Sequence, residues 1–97
     1  MESYVQHVNG KKVADVLLYA LSTCVWCRKT KTLLSELGVE YDFVDVDLLT
    51  GGDRQKVMAE VQRWNPARSF PVVVINNEKA IVGFDELKVK DAVEPKV

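Results

Sequence analysis

Two cysteines and one histidine are all that this chain of 97 residues offers a soft metal ion. A four-cysteine zinc site within one chain is therefore excluded, and a mixed site would have to be improvised from His7 and carboxylates. Long apolar runs are missing as well. No stretch approaches the roughly 20 apolar residues that span a bilayer, and Met1 to Gly10 lack the basic start and apolar middle of a secretory signal. Charge of one sign is scarce: 13 Lys and Arg stand against 14 Asp and Glu, a net charge of −1. The signs are interleaved, which leaves no basic stripe for nucleic acid. Repeats, linkers and low-complexity tracts are also absent, and 47% hydrophobic content at this length serves one core, so residues 1–97 are expected to form a single domain. Together these absences lead to an expectation of a cytoplasmic protein without membrane or nucleic-acid partners. In that reducing setting, two nearby cysteines are expected to do chemistry or bind metal rather than staple a fold.

What is present is a pair of cysteines one helical turn apart, Cys24-Val25-Trp26-Cys27. The run Val13-Ala14-Asp15-Val16-Leu17-Leu18-Tyr19-Ala20 has the length and residue types of a buried strand. From Arg28 to Leu37, apolar residues recur every three or four positions up to Gly38, the pattern of a helix and its stop. Cys24 thus falls at a strand-to-helix turn, where unpaired N–H groups and the positive end of the helix dipole favour an anion. A thiolate is such an anion. It is the form that attacks a disulfide, and a free cysteine with pKa ~8.5 is only about 3% ionised at pH 7. Cys24 is therefore the candidate nucleophile, and Cys27, one turn on, is placed to attack a mixed disulfide formed there. Arg28, Lys29 and Lys31 read first as a solvated helix face, and alternatively as a local positive field that favours the thiolate.

The remaining pattern orders the elements. Tyr4 to Val8 and the Asn9-Gly10 turn point to an extra N-terminal strand or hairpin. Tyr41 to Asp47 alternates as a half-buried strand, Gly51-Gly52-Asp53 opens a helix carrying Val57, Met58, Val61 and Trp64, and Asn65-Pro66 closes it. Pro71 to Ile75 and Lys79 to Val82 form a hairpin around Asn76-Asn77-Glu78. A short helix follows from Asp85, its expected N-cap, to Val93, with residues 95–97 frayed. Tyr19, Phe43 and Trp64 are expected in the core, and Trp26 on the surface as a contact residue.

Strand, Cys-X-X-Cys, helix, strand, helix, X-Pro hairpin and helix, in that order, resemble the glutaredoxin branch of the thioredoxin fold. Three segments carry the resemblance: Ser22-Thr23-Cys24-Val25-Trp26-Cys27, Ala67-Arg68-Ser69-Phe70-Pro71 and Val82-Gly83-Phe84-Asp85-Glu86-Leu87. The resemblance implies an α/β, thioredoxin-like fold: a central mixed four-stranded sheet flanked by helices, beside the extra N-terminal strand or hairpin. It further implies a dithiol–disulfide oxidoreductase with Cys24 and Cys27 catalytic, a cis Pro71, and a substrate groove formed by Trp26, Arg68, Ser69, Phe70, Pro71, Gly83, Phe84 and Asp85. No metal or organic cofactor is required on this reading. Partners are disulfide-containing proteins, glutathione as reductant or co-substrate, or a thioredoxin-reductase-type or ferredoxin-linked reductase, with the protein acting as a monomer. An alternative within the resemblance is an iron–sulfur cluster carrier using Cys24 from each of two copies. The chain departs from the family at Leu21, where a lysine is common, at Val25, where proline often follows the first cysteine, and at Val82, where the first of two glycines stands.

Overall fold

The computed structural model describes residues 3–93, so the expected fraying at residues 95–97 lies outside the described residues. Five strands and three helices follow in the order β1 (Gln6–Val8), β2 (Val16–Ala20), α1 (Val25–Glu36), β3 (Tyr41–Asp45), α2 (Gly51–Trp64), β4 (Val72–Ile75), β5 (Lys79–Val82) and α3 (Glu86–Val93). One sheet holds all five strands in the order β1-β3-β2-β4-β5. Only β2 and β3 run parallel; the other pairs are antiparallel.

Central strands need apolar residues on both faces, and this explains the unbroken runs Val16–Ala20 and Val72–Ile75. Side chains alternate across a strand. Leu18, Ala20, Val73 and Ile75 point to one core with Leu33 and Leu34 of α1 and Val89 and Val93 of α3. Tyr19, Val72 and Val74 point to the other core with Val57 and Val61 of α2. Helices α1 and α3 thus cover one face of the sheet and α2 covers the other. Tyr19 is buried as expected, whereas Phe43 and Trp64 are half-buried at the margins of their cores.

The extra N-terminal element is a strand and not a hairpin. β1 pairs with β3, Gln6 opposite Phe43 and Val8 opposite Tyr41, instead of folding back on β2. The connecting loop is drawn onto the start of β3 by Lys11, whose N–H donates to Gly38 and whose carbonyl accepts from Glu40. Gly10 is required there: a Cβ at that position would lie 2.6 Å from the Val39 carbonyl carbon. The strand expected to reach Asp47 stops at Asp45, because Val46–Leu48 turn into one short 3₁₀ segment that buries Val46.

Candidate active site

Register brings four segments to one end of the sheet. Tyr19 lies opposite Val72, Val72 opposite Val82, and Ala20 opposite Asp45. The C-terminal ends of β2, β3 and β5 and the N-terminal end of β4 therefore share one edge. The segments that leave them are Leu21–Cys24, Val46–Leu48, the loop before Pro71, and Gly83–Asp85.

Cys24 is the N-cap of α1. Its backbone is extended, and its sulfur accepts from the Cys27 N–H at 3.3 Å. The helix therefore starts three residues earlier than its apolar pattern begins, since a capping residue needs no apolar partner. Cys24 is partly exposed and Cys27 fully buried; both are free thiols. Their acidities diverge accordingly. Desolvation works against the Cys24 thiolate, but hydrogen bonds from the Cys27 thiol and from the backbone N–H groups of Cys27 and Trp26, with the nearby Arg28 charge, outweigh it and lower the pKa. For Cys27, burial above all, then donation of its hydrogen bond to Cys24, pushes the thiol up to about 12. Its sulfur also accepts from the Leu21 N–H at 3.5 Å.

Trp26 is 54% exposed. Its ring lies 5.8 Å from that of Phe84, and Lys29 Nζ sits 4.5 Å over it. The Phe70–Pro71 peptide bond is cis, Pro71 is buried, and its carbonyl accepts from the Gly83 N–H at 2.8 Å. Gly83 adopts φ +82°, a conformation that suits a residue without Cβ. Asp85 caps α3 as expected, its Oδ1 accepting from the Lys88 N–H at 3.0 Å. Arg68 stands at φ +54°, exposed and without a carboxylate partner among the described residues. No hydrogen bond ties Arg68 or Ser69 to either cysteine; topology alone brings them to this end.

Two residues that organise the site were read for other purposes from the sequence. Asn65, taken as a helix stop, is buried, and its Nδ2 donates to the Ser69 carbonyl and hydroxyl at 3.0 Å each. Its Oδ1 accepts from the Ala67 N–H at 3.3 Å. The loop before Pro71 is thereby held in shape, and both polar groups of Ser69 are engaged in holding it. Asp47 accepts from the Ser22 N–H and hydroxyl at 2.8 and 2.6 Å, which lowers its own pKa and ties the turn before Cys24 to the end of β3. An asparagine before proline and an aspartate after a strand are both ordinary surface signals, so only the fold distinguishes them.

Among the described residues, no group of three or more His, Cys, Asp or Glu is disposed to hold a metal ion, and no helix is long and apolar enough to cross a membrane. An iron–sulfur cluster needs four ligands, commonly thiolates. With Cys27 buried, each chain presents one accessible sulfur, so the chain by itself does not supply that set.

The glutaredoxin family model matches residues 16–80, which include the cysteine pair and the cis-proline loop but stop short of Gly83–Asp85. The chain is similar in structure to the glutaredoxin from Methanosarcina mazei Go1, with 47% identity, a TM-score of 0.87, and coverage of 97% of this chain and 91% of that one. It is also similar to the methanoredoxin of Methanosarcina acetivorans, at 45% identity and a TM-score of 0.85, with 89% and 90% covered. In sequence it is 32% identical over 79 residues to an uncharacterized glutaredoxin-like 8.6 kDa protein in the rubredoxin operon of Clostridium pasteurianum, covering 81% of this chain and 97% of that protein.

Proposed function

We propose, on the premise that this chain belongs to the glutaredoxin family of thiol–disulfide oxidoreductases, that it reduces protein disulfides with Cys24 as nucleophile and Cys27 as resolving thiol. The observation that supports these roles is the opposed environment of the two sulfurs, one accessible with lowered pKa and one buried and raised to about 12.

The Cys24 thiolate attacks one sulfur of the target disulfide, forms a mixed disulfide and expels the other sulfur as a thiolate. That step removes the charge at Cys24 and ends the hydrogen bond from Cys27, two of the causes that kept Cys27 protonated. Cys27 then gives its proton to the departing thiolate or to solvent and attacks the Cys24 sulfur. The second target thiolate leaves. The target has gained two electrons, and the chain is left with a Cys24–Cys27 disulfide, which an external thiol such as glutathione, or a dedicated reductase, returns to the dithiol. On this reading Cys27 stays inert until Cys24 has reacted.

Phe70 has no backbone hydrogen-bond partner among the described residues, and on this reading its N–H and C=O pair with an extended substrate chain, as in strand addition. Trp26, Arg68, Ser69, Phe70, Pro71, Gly83, Phe84 and Asp85 form the surrounding contact surface, with Ser69 contributing through the loop it shapes. The protein acts as a monomer in a reducing compartment. Cys24→Ser is expected to reduce disulfide exchange to the uncatalysed background, while Cys27→Ser accumulates a mixed disulfide visible by intact-mass spectrometry. If Cys24→Ser were the variant that trapped substrate, the roles would be reversed. Recharging of the oxidised protein by glutathione with glutathione reductase, compared with thioredoxin-reductase-type systems, identifies the donor.

A further inference from the structure

The two sulfurs draw their hydrogen bonds from different parts of the chain. Cys24 is served from inside α1, by the N–H groups of Cys27 and Trp26 and by the Cys27 thiol. Cys27 is served from outside the helix: its sulfur accepts from the Leu21 N–H at 3.5 Å. Leu21 belongs to the turn after β2, and its carbonyl accepts from the Cys24 N–H at 3.2 Å. A single residue of that turn thus touches both cysteines. What holds the turn is the next residue, Ser22, which gives its N–H and its hydroxyl to the two oxygens of Asp47 at 2.8 and 2.6 Å. These bonds lower the pKa of Asp47 and so keep it an acceptor.

Once Cys24 is tied up in a mixed disulfide, burial still opposes the Cys27 thiolate. Two influences favour it, the Leu21 N–H first and the Lys31 charge after it. Lys31 is already bound to Asp45 at 2.9 Å. These two and Asp47 are the charges that face the site from α1 and the end of β3, while β2, β4 and α3 bring the apolar Leu18, Ala20, Val73 and Val89 to the same core. Resting on the oxidoreductase reading above, we infer that Asp47 is a positioning residue for the second exchange step: by fixing Ser22 it aims the Leu21 N–H at the Cys27 sulfur and so stabilises the thiolate that must attack Cys24. In that step the Cys27 S–H bond breaks and its proton goes to the thiolate expelled earlier or to solvent. The Cys27–Cys24 bond forms, and the bond from Cys24 to the target breaks as the second target thiolate leaves. Asp47 itself exchanges no proton, since both its oxygens are committed to Ser22. Neither Leu21 nor Asp47 lines the groove of about 350 Å³ that runs along α1 beside Val25, Arg28, Lys29 and Phe84, so a change at Asp47 leaves that surface as it is.

The test follows the two exchange steps separately. Reduced protein is mixed in a stopped-flow instrument with dithiodipyridine, a small uncharged disulfide that releases one absorbing thiopyridone when Cys24 attacks and a second when Cys27 displaces it. The first phase scales with reagent concentration and the second does not. Asp47→Ala, at an exposed position, is expected to slow the second phase roughly threefold at pH 7, because a tenfold loss of thiolate is partly offset by the greater nucleophilicity of a more basic sulfur. The pH midpoint of that phase should move upward. The first phase should keep its rate and midpoint, since the donors to Cys24 lie within α1. Asp47→Asn should restore the second phase, because an amide can accept from the Ser22 N–H and donate to its hydroxyl. The inference is overturned by a second phase that is unchanged or faster in Asp47→Ala, by both phases slowing with their midpoints fixed, or by Asp47→Asn behaving no better than Asp47→Ala. A wild-type protein that shows only the first phase would instead bring down the role of Cys27 as resolving thiol, and one that shows neither would bring down the oxidoreductase reading; the inference falls with either.

Discussion

The two ends of the sheet differ in the state of their charges. At the end away from the cysteines, a cavity of about 410 Å³, larger than the groove along α1, is bounded by the start of β2 and β3 and the end of β4. Its ionic groups are satisfied locally: His7 Nδ1 lies 2.6 Å from Asp42, His7 Nε2 3.5 Å from Glu40, and Lys12 3.2 Å from Asp15. At the cysteine end, Arg28, Lys29 and Arg68 are left without carboxylate partners among the described residues, beside a thiol whose pKa is lowered. A paired charge has little left to give a ligand or a reacting atom. Lys31 and Lys88 are paired at that end too, with Asp45 at 2.9 Å and Asp85 at 3.9 Å, so it is the cations left free beside Cys24 that suit it to the chemistry, and cavity size is a poor guide to it.

The sharpest way to break this contrast is at the sulfurs themselves. At pH 7, a thiol with a pKa of about 12 is thiolate in roughly one part in 10⁵. Iodoacetamide should therefore label Cys24 at least about a thousandfold faster than Cys27, as read by peptide mapping. The labelling rate of Cys24 should fall as pH drops through a pKa below the ordinary thiol range; a midpoint at or above that range would refute the electrostatic account. The sign for stability follows. Because its folded pKa is depressed, Cys24 contributes stability that is present above the unfolded value and lost as pH falls through the folded one. Cys27, raised, contributes stability below its unfolded value that is lost as pH rises towards about 12.

A second, smaller effect is expected where the cis-proline loop is held. Asn65→Ala leaves the Ser69 carbonyl and hydroxyl and the Ala67 N–H without their partner; both residues are exposed and can turn to water, so the cost is the net loss of the hydrogen bonds, about 0.5–1.5 kcal/mol. Chemical denaturation should show this loss, and disulfide exchange should slow because the loop beside Cys24 loses its shape. Retained exchange with reduced stability would mean that the loop need not be preorganised.

The smallest effect belongs to the opposite end. His7→Ala should leave disulfide exchange unchanged and alter thermal stability only slightly, since the residue is exposed. The hydrogen bond with Asp42 raises the His7 pKa, so its contribution is present below the unfolded value and disappears as pH rises through the folded one. Melting curves of the protein and variant should thus converge at alkaline pH. A large loss of exchange in His7→Ala would tie the two ends together and undo the comparison.

The sequence by itself determined the order of elements, the two apolar central strands, and the placement of Cys24 at a helix start, because all of these follow from local periodicity and capping. Its errors had a common origin. The N-terminal segment was open to a hairpin because Asn9-Gly10 is a turn signal, yet β1 pairs with β3, some 35 residues away; such pairing leaves no mark in nearby residues. Likewise Asn65 and Asp47 look like surface polar residues until the register of β2, β3 and β4 brings them to the cysteine end. Only the tertiary structure decided which sulfur is buried, which charges are neutralised and where the groove along α1 begins. Burial and electrostatic pairing depend on distances between residues far apart in the chain, and those distances exist only once the sheet has formed.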